Sequence, residues 1–262
     1  MSTPHWREER LSVASIELHL HRGGDGPPLL WLHGGGASPE WLMHHEALAE
    51  QCNVIAPSHP GFGVTPGLSW MSRPSDMALF YLWMLQEMGL DRVHLAGHAF
   101  GGWIAAEMAA TCPQIVDRLV LIDAAGIKPE AGEILDIFIL TPEAILAKAY
   151  YKPEQAPEWE RLYGRAPSPE AADRAEEALE TFVRLTWKPF LHDRRLPEIL
   201  PRVSSPTLII WGRDDAIIPL ECGELYRRAI PGAELVVLDE CGHMPHIEKP
   251  KALTDTLTSF LR

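Results

Sequence analysis

Three stretches of this 262-residue chain carry residue types that do chemistry when a fold brings them together. His243, in Cys241-Gly242-His243-Met244-Pro245, is an imidazole able to act as general base and then general acid. Asp215, in Trp211-Gly212-Arg213-Asp214-Asp215-Ala216-Ile217-Ile218-Pro219, is a carboxylate able to accept from the imidazole Nδ1–H and fix its tautomer. Gly97-His98-Ala99-Phe100-Gly101 has the spacing of the G-x-S-x-G turn, which exposes a nucleophilic hydroxyl between a strand and a helix. Both glycines stand in register, but the nucleophile position is Ala99. A fourth stretch, His33-Gly34-Gly35-Gly36, follows an apolar run. A backbone N–H from it, taken as that of Gly35, would pair with the N–H of Phe100 to stabilise a negative oxygen, worth about 3–4 kcal/mol per donor.

These stretches sit at the ends of short apolar runs. Leu29–Leu32, Val54–Ala56, Val93–Ala96, Leu119–Ile122, Pro206–Trp211 and Leu235–Leu238 read as strands. Helical patterns over Glu40–Gln51, Pro74–Met88, Phe100–Cys112, Leu220–Ala229 and Pro250–Leu261 alternate with them. Such alternation makes a parallel sheet covered on both faces. Leu11–Val13 and Ile16–Leu20 alternate in polarity and read as an antiparallel edge pair. From about Lys128 to Pro201 the pattern is helical and proline-rich, without a convincing strand. The expected organisation is a core of residues 1–127 and 202–262 with a helical insertion over 128–201.

The order nucleophile, acid, histidine, with each motif on the required kind of element, resembles the α/β-hydrolase superfamily from about Leu11 to Leu261. The resemblance implies an α/β fold with a mostly parallel eight-stranded sheet, helices on both faces and the insertion as a helical cap. It also implies a small-molecule substrate and no cofactor. Within the superfamily the chain looks like compact bacterial carboxylesterases, lactonases and meta-cleavage-product C–C hydrolases, the segment Arg184–Pro189 included. The C–C hydrolases usually carry tryptophan after the catalytic histidine, and here that residue is Met244. Asp123 ends a strand that supplies the acid in some relatives and is the alternative to Asp215.

Ala99 has two readings: a natural non-catalytic binding protein, or an intact hydrolase whose serine was replaced to trap a ligand. The second is favoured because every other part of the machinery is retained and alanine differs from serine by one oxygen. The expected substrate is a carboxylic ester or lactone with an apolar portion, with C–C hydrolysis as the alternative. Candidate pocket residues are Gly34, Gly36, Trp41, Leu42, His98, Trp103, Phe138, Trp187 and Met244; nine tryptophans in the chain favour an apolar acyl or aryl pocket. His44-His45-Glu46 and His243-x-x-His246 do not match H-E-x-x-H spacing, so no metal is expected.

A formal charge of -13 argues against nucleic acid and anionic membranes as partners. No apolar run is long enough to span a bilayer, and Met1–Arg10 lacks the apolar segment of a signal peptide. The four cysteines form no CxxC pair and read as reduced thiols in a cytoplasmic protein, monomeric or homodimeric.

Overall fold

A computed structural model describes residues 6–36 and 40–262. The reading of Met1–Arg10 therefore falls outside it over residues 1–5. Eight strands form one sheet in the order β1-β2-β4-β3-β5-β6-β7-β8. They are β1 (Trp6–Val13), β2 (Ile16–Gly23), β3 (Pro28–Leu32), β4 (Asn53–Pro57), β5 (Val93–His98), β6 (Val116–Ile122), β7 (Thr207–Gly212) and β8 (Glu234–Leu238). β1 and β2 form an antiparallel hairpin turned by Ala14 and Ser15, both at positive φ as a tight two-residue turn requires. β2 meets β4 antiparallel, and every pairing from β4 through β3 to β8 is parallel.

Side-chain alternation splits the core. Leu30, Leu32 and Leu95 face a layer built with α2 (Pro74–Glu87), α3 (Phe100–Thr111) and α8 (Leu220–Ala229). Leu29, Trp31, Val54 and Ala96 face a second layer with α1 (Met43–Ala49) and α10 (Pro250–Phe260). All six residues of β5 are buried, so the strand leading to the turn at 97–101 has a fixed position in the sheet. Between β6 and β7 the described residues include no strand, only one isolated bridge, Gly126–His192. Four helices lie there: α4 (Pro142–Ala149), α5 (Trp159–Tyr163), α6 (Pro169–Thr186) and α7 (Leu196–Ile199). α6 buries Ala178, Phe182 and Leu185, one stripe at helical spacing. A one-turn helix, α9 (Pro245–Glu248), precedes α10.

Several boundaries differ from the sequence reading, β1, β2 and β6 each being longer than their apolar runs, and two of the differences bear on the site. The helix expected from Glu40 starts at Met43, because its first amides find partners that sequence does not display. Leu42 N–H donates to the His45 ring at 3.1 Å, and Met43 N–H to Glu158 at 3.1 Å from 115 residues away. β5 runs two residues past Ala96, because the reversal into α3 is completed at the single residue Ala99. Among the described residues no helix is long and apolar enough to cross a membrane.

Candidate active site

Ala99 is the hinge of the strand-to-helix turn, at φ 49° and ψ −110°. A non-glycine residue at such a φ carries about 1–3 kcal/mol of strain, and its backbone is held from several sides. Its N–H donates to the Ile122 carbonyl at 2.9 Å, and its carbonyl accepts from Trp103 and Ala125 N–H. The flanking glycines are required sterically. A Cβ on Gly97 would lie 2.2 Å from the Gly101 carbonyl oxygen, and one on Gly101 would lie 2.2 Å from that of Leu32.

The His33-Gly34-Gly35 loop packs on this turn: a Cβ on Gly34 would come within 2.8 Å of His98 Nδ1 and 3.5 Å of the Ala99 methyl. His33 and His59 lock the loop. His33 Nε2 accepts from His59 N–H at 3.0 Å, which places the ring proton on Nδ1, 2.6 Å from the Gly34 carbonyl. In a trans peptide C=O and N–H point oppositely, so this bond turns the Gly35 N–H away from His33. The His59 Nε2–H donates to the His33 carbonyl at 2.9 Å. Burial, the larger cause, and the neighbouring His59 hold His33 well below the usual imidazole range; burial pushes His59 down to about 4. Phe100 opens α3, where N–H groups have no intrahelical acceptor.

Asp215 and His243 meet at the C-terminal edge of the sheet. His243 Nδ1 lies 2.8 Å from Asp215 Oδ2, and the Asp215 side chain is fully buried. That bond keeps the ring proton on Nδ1 and leaves the Nε2 lone pair for other work. Asp215 Oδ1 accepts from Ile217 and Ile218 N–H at 2.8 and 3.0 Å, so it braces its own loop rather than capping α8. Asp214 is exposed. The two loops touch backbone to backbone: a Cβ on Gly212 would lie 2.0 Å from the Gly242 oxygen. His98 joins the turn to the histidine loop, its Nε2 lying 2.7 Å from the His243 carbonyl. Burial first, then the His246 and His243 rings, hold His98 well below its usual range, so it is a neutral donor.

The remaining candidates divide. Phe138 and Trp187 belong to an aromatic group over the turn, 5.7 Å from Phe182 and 6.4 Å apart from each other respectively, with Trp187 59% exposed. Met244 packs on the core and donates its N–H to Glu248 at 3.3 Å. Trp41 does not join this group: it stacks on Trp6 and His45 and packs with the second core layer. Leu42 caps α1, and Trp103 is buried against Gly126. Gly36 is exposed with open space around it.

Two residues at the site escaped the sequence reading. Phe182 of α6 lies over the glycine loop, its ring 2.5 Å from where a Gly35 Cβ would be and 5.3 Å from the Phe100 ring. Its signal was the amphipathic spacing of α6. Glu248 lies at the end of α9, and its carboxylate turns back toward the histidine loop. Oε1 accepts from Gly242 and Met244 N–H, and Oε2 from Tyr151 N–H at 2.8 Å. His243 N–H also donates to the Ala149 carbonyl at 2.7 Å, so the end of α4 is pinned to the histidine loop. Among the described residues, Asp123, Asp215 and His243 form a group whose ligand-type atoms lie within 4.8 Å of one another. The bond between Asp215 and His243 occupies the atoms a cation would need.

A strand-to-helix turn with both glycines, a glycine loop packed on it and an Asp–His pair at the C-terminal edge of a mostly parallel sheet are the arrangement of one fold class. Residues 29–256 match the alpha/beta hydrolase family, and the chain belongs to it. It is 30% identical over 257 residues to the dihydrolipoyllysine-residue acetyltransferase component of an acetoin cleaving system from Pseudomonas putida. That match takes in 92% of this chain but spans only 65% of the relative's length. It is 29% identical to a putative carbamate hydrolase of Pseudomonas savastanoi pv. phaseolicola, over 94% of this chain and 97% of that one. A solved meta-cleavage product hydrolase of Pseudomonas fluorescens, a serine-to-alanine mutant complexed with acetates, is 25% identical with a TM-score of 0.79 and 97% of each chain covered.

Proposed function

We propose that this chain is a hydrolase of a carboxylic ester or lactone with an apolar portion, in which Ala99 stands where the working enzyme carries serine. The observation that carries the reading is the buried Asp215–His243 bond at 2.8 Å, beside a turn whose strained backbone is retained although its residue has no nucleophile. Serine at 99 would attack the carbonyl, His243 would take and return the proton, and Gly35 and Phe100 N–H would hold the oxyanion. Residues 128–201 would be the cap, and its inner aromatic face (Phe138, Phe182) would receive the apolar part.

A second reading, hydrolysis of a C–C bond in a dienoic ring-cleavage product, is supported by the likeness to the meta-cleavage product hydrolase. Such a substrate needs a charged partner for its dienoate carboxylate. Arg184 is engaged with the Met71 carbonyl at 2.7 Å, and the face over the turn is aromatic, which favours the ester. The test is p-nitrophenyl ester turnover by Ala99→Ser beside the Ala99 protein. A rise of about 10⁶ in kcat, abolished again by His243→Ala, is expected. Equal inactivity on short and medium acyl chains, with turnover of a vinylogous 1,5-diketone, would move the reading to C–C hydrolysis.

A further inference from the structure

Behind the Asp215–His243 pair lies a second carboxyl group that the proton-transfer scheme does not use. Asp123 follows the last residue of β6 at φ 43°, with no exposed surface. Its Oδ1 accepts from Gly212 N–H at 2.9 Å, and its Oδ2 is buried without a donor. Asp215 is better supplied: Ile217 N–H, Ile218 N–H and His243 Nδ1 all reach it. Two carboxyl groups this close in a buried site do not both ionise, and the proton goes to the one whose charge is met by fewer donors.

We infer that Asp123 is a positioning residue, a neutral carboxylic acid whose Oδ2–H donates to the Asp215 carboxylate and holds it in the orientation that presents Oδ2 to His243. The arrangement explains how a buried oxygen without a donor is tolerated: as an O–H it needs an acceptor, and Asp215 is one. Burial, and then the charge of Asp215, push the Asp123 carboxyl well above the usual carboxylate range, in the same sense as the geometry. Glu248 of α9 and the Cys241 thiol also face the pair, and neither brings a positive charge that would favour ionised Asp123. Neutral Asp123 leaves one negative charge, held by the two carboxyls, to face the imidazolium that forms during turnover.

Asparagine reproduces this acid: its amide N–H can donate to Asp215 while its oxygen accepts from Gly212. Asp123→Asn is therefore expected to behave like the parent and Asp123→Ala is not. The assignment rests on the proposed roles of Asp215 and His243 only for its effect on turnover, so the first readout is independent of activity. Infrared difference spectra of the Ala99 protein at neutral pH should show a protonated-carboxyl C=O band that Asp123→Asn removes. The His243 Nδ1–H proton resonance should stay in place in Asp123→Asn and move downfield in Asp123→Ala, where Asp215 loses its donor. In the Ala99→Ser background, Asp123→Ala should lower kcat about tenfold or more with KM nearly unchanged, and Asp123→Asn should restore it. No band lost in Asp123→Asn, or a resonance displaced as far in Asp123→Asn as in Asp123→Ala, overturns the assignment. If Asp123→Ala does not fold, the band and the resonance of Asp123→Asn still decide it. Spectra as expected with no turnover in any variant support Asp123 and count instead against the ester reading.

Discussion

Acidification should unfold this protein in a graded way, and His59 supplies a calculable share. Its ring is enclosed, with Nε2–H on the His33 carbonyl and Nδ1 2.5 Å from the Tyr81 hydroxyl. Burial pushes it from 6.5 down to about 4. Above 6.5 neither folded nor unfolded chain binds the proton; between 6.5 and about 4 only the unfolded chain does. The contribution is thus complete above the unfolded value and is lost as pH falls, with a slope of up to about 1.4 kcal/mol per pH unit. The loss reaches about 2 kcal/mol near pH 5 and about 3 kcal/mol in full. His246, pushed down to about 3 mainly by burial and then by the neighbouring His243, acts in the same direction. Urea unfolding at steps between about pH 7 and about pH 5, on the parent and on His59→Asn, isolates the share. The variant is expected to be less stable at neutral pH but to lose about 1.4 kcal/mol less per pH unit on acidification. Parallel curves for the two proteins would refute the reasoning, because they would mean that His59 takes up its proton without cost in the folded state.

Gly101→Ala drives a Cβ to 2.2 Å from the Leu32 carbonyl oxygen and should cost about 4 kcal/mol or more; Gly36→Ala meets nothing and should change the unfolding free energy from urea titration by about 0.5 kcal/mol at most. Glu248→Ala strands the N–H groups of Gly242, Met244 and Tyr151, at about 1–3 kcal/mol for each that water cannot reach. Glu248→Gln should recover part of that stability in the same melt, since one of its two acceptors survives. Phe182→Ala should cost about 3 kcal/mol and, in the Ala99→Ser background, raise KM for aryl esters more than it lowers kcat. An unchanged KM would place the apolar part of the substrate elsewhere.

Much of this protein is legible in its sequence because the signals are local. Pro74 and Gly89 bracket α2, apolar runs mark the buried strands, and Gly97 is demanded by the backbone of its own turn, whereas Gly101 is demanded by the Leu32 and His33 carbonyls of a distant segment. Asp215, marked in the sequence as a carboxylate for an imidazole, does reach His243, whereas the adjacent Asp214 is exposed. Tertiary structure decided what depends on distant partners. α1 begins at Met43 because a glutamate 115 residues away accepts its first amide. Trp41 turns from the expected pocket to Trp6 because the β1 strand lies beside it. Phe182 rather than a tryptophan covers the glycine loop, and Glu248 folds back to tie α4 to the histidine loop. Asp123 and Asp215 acquire their unequal supply of donors only when β6 and β7 pair side by side. Periodicity and turn chemistry act within a few residues, so sequence displays them. Burial and the sharing of protons arise from chain segments that only folding brings within hydrogen-bonding distance.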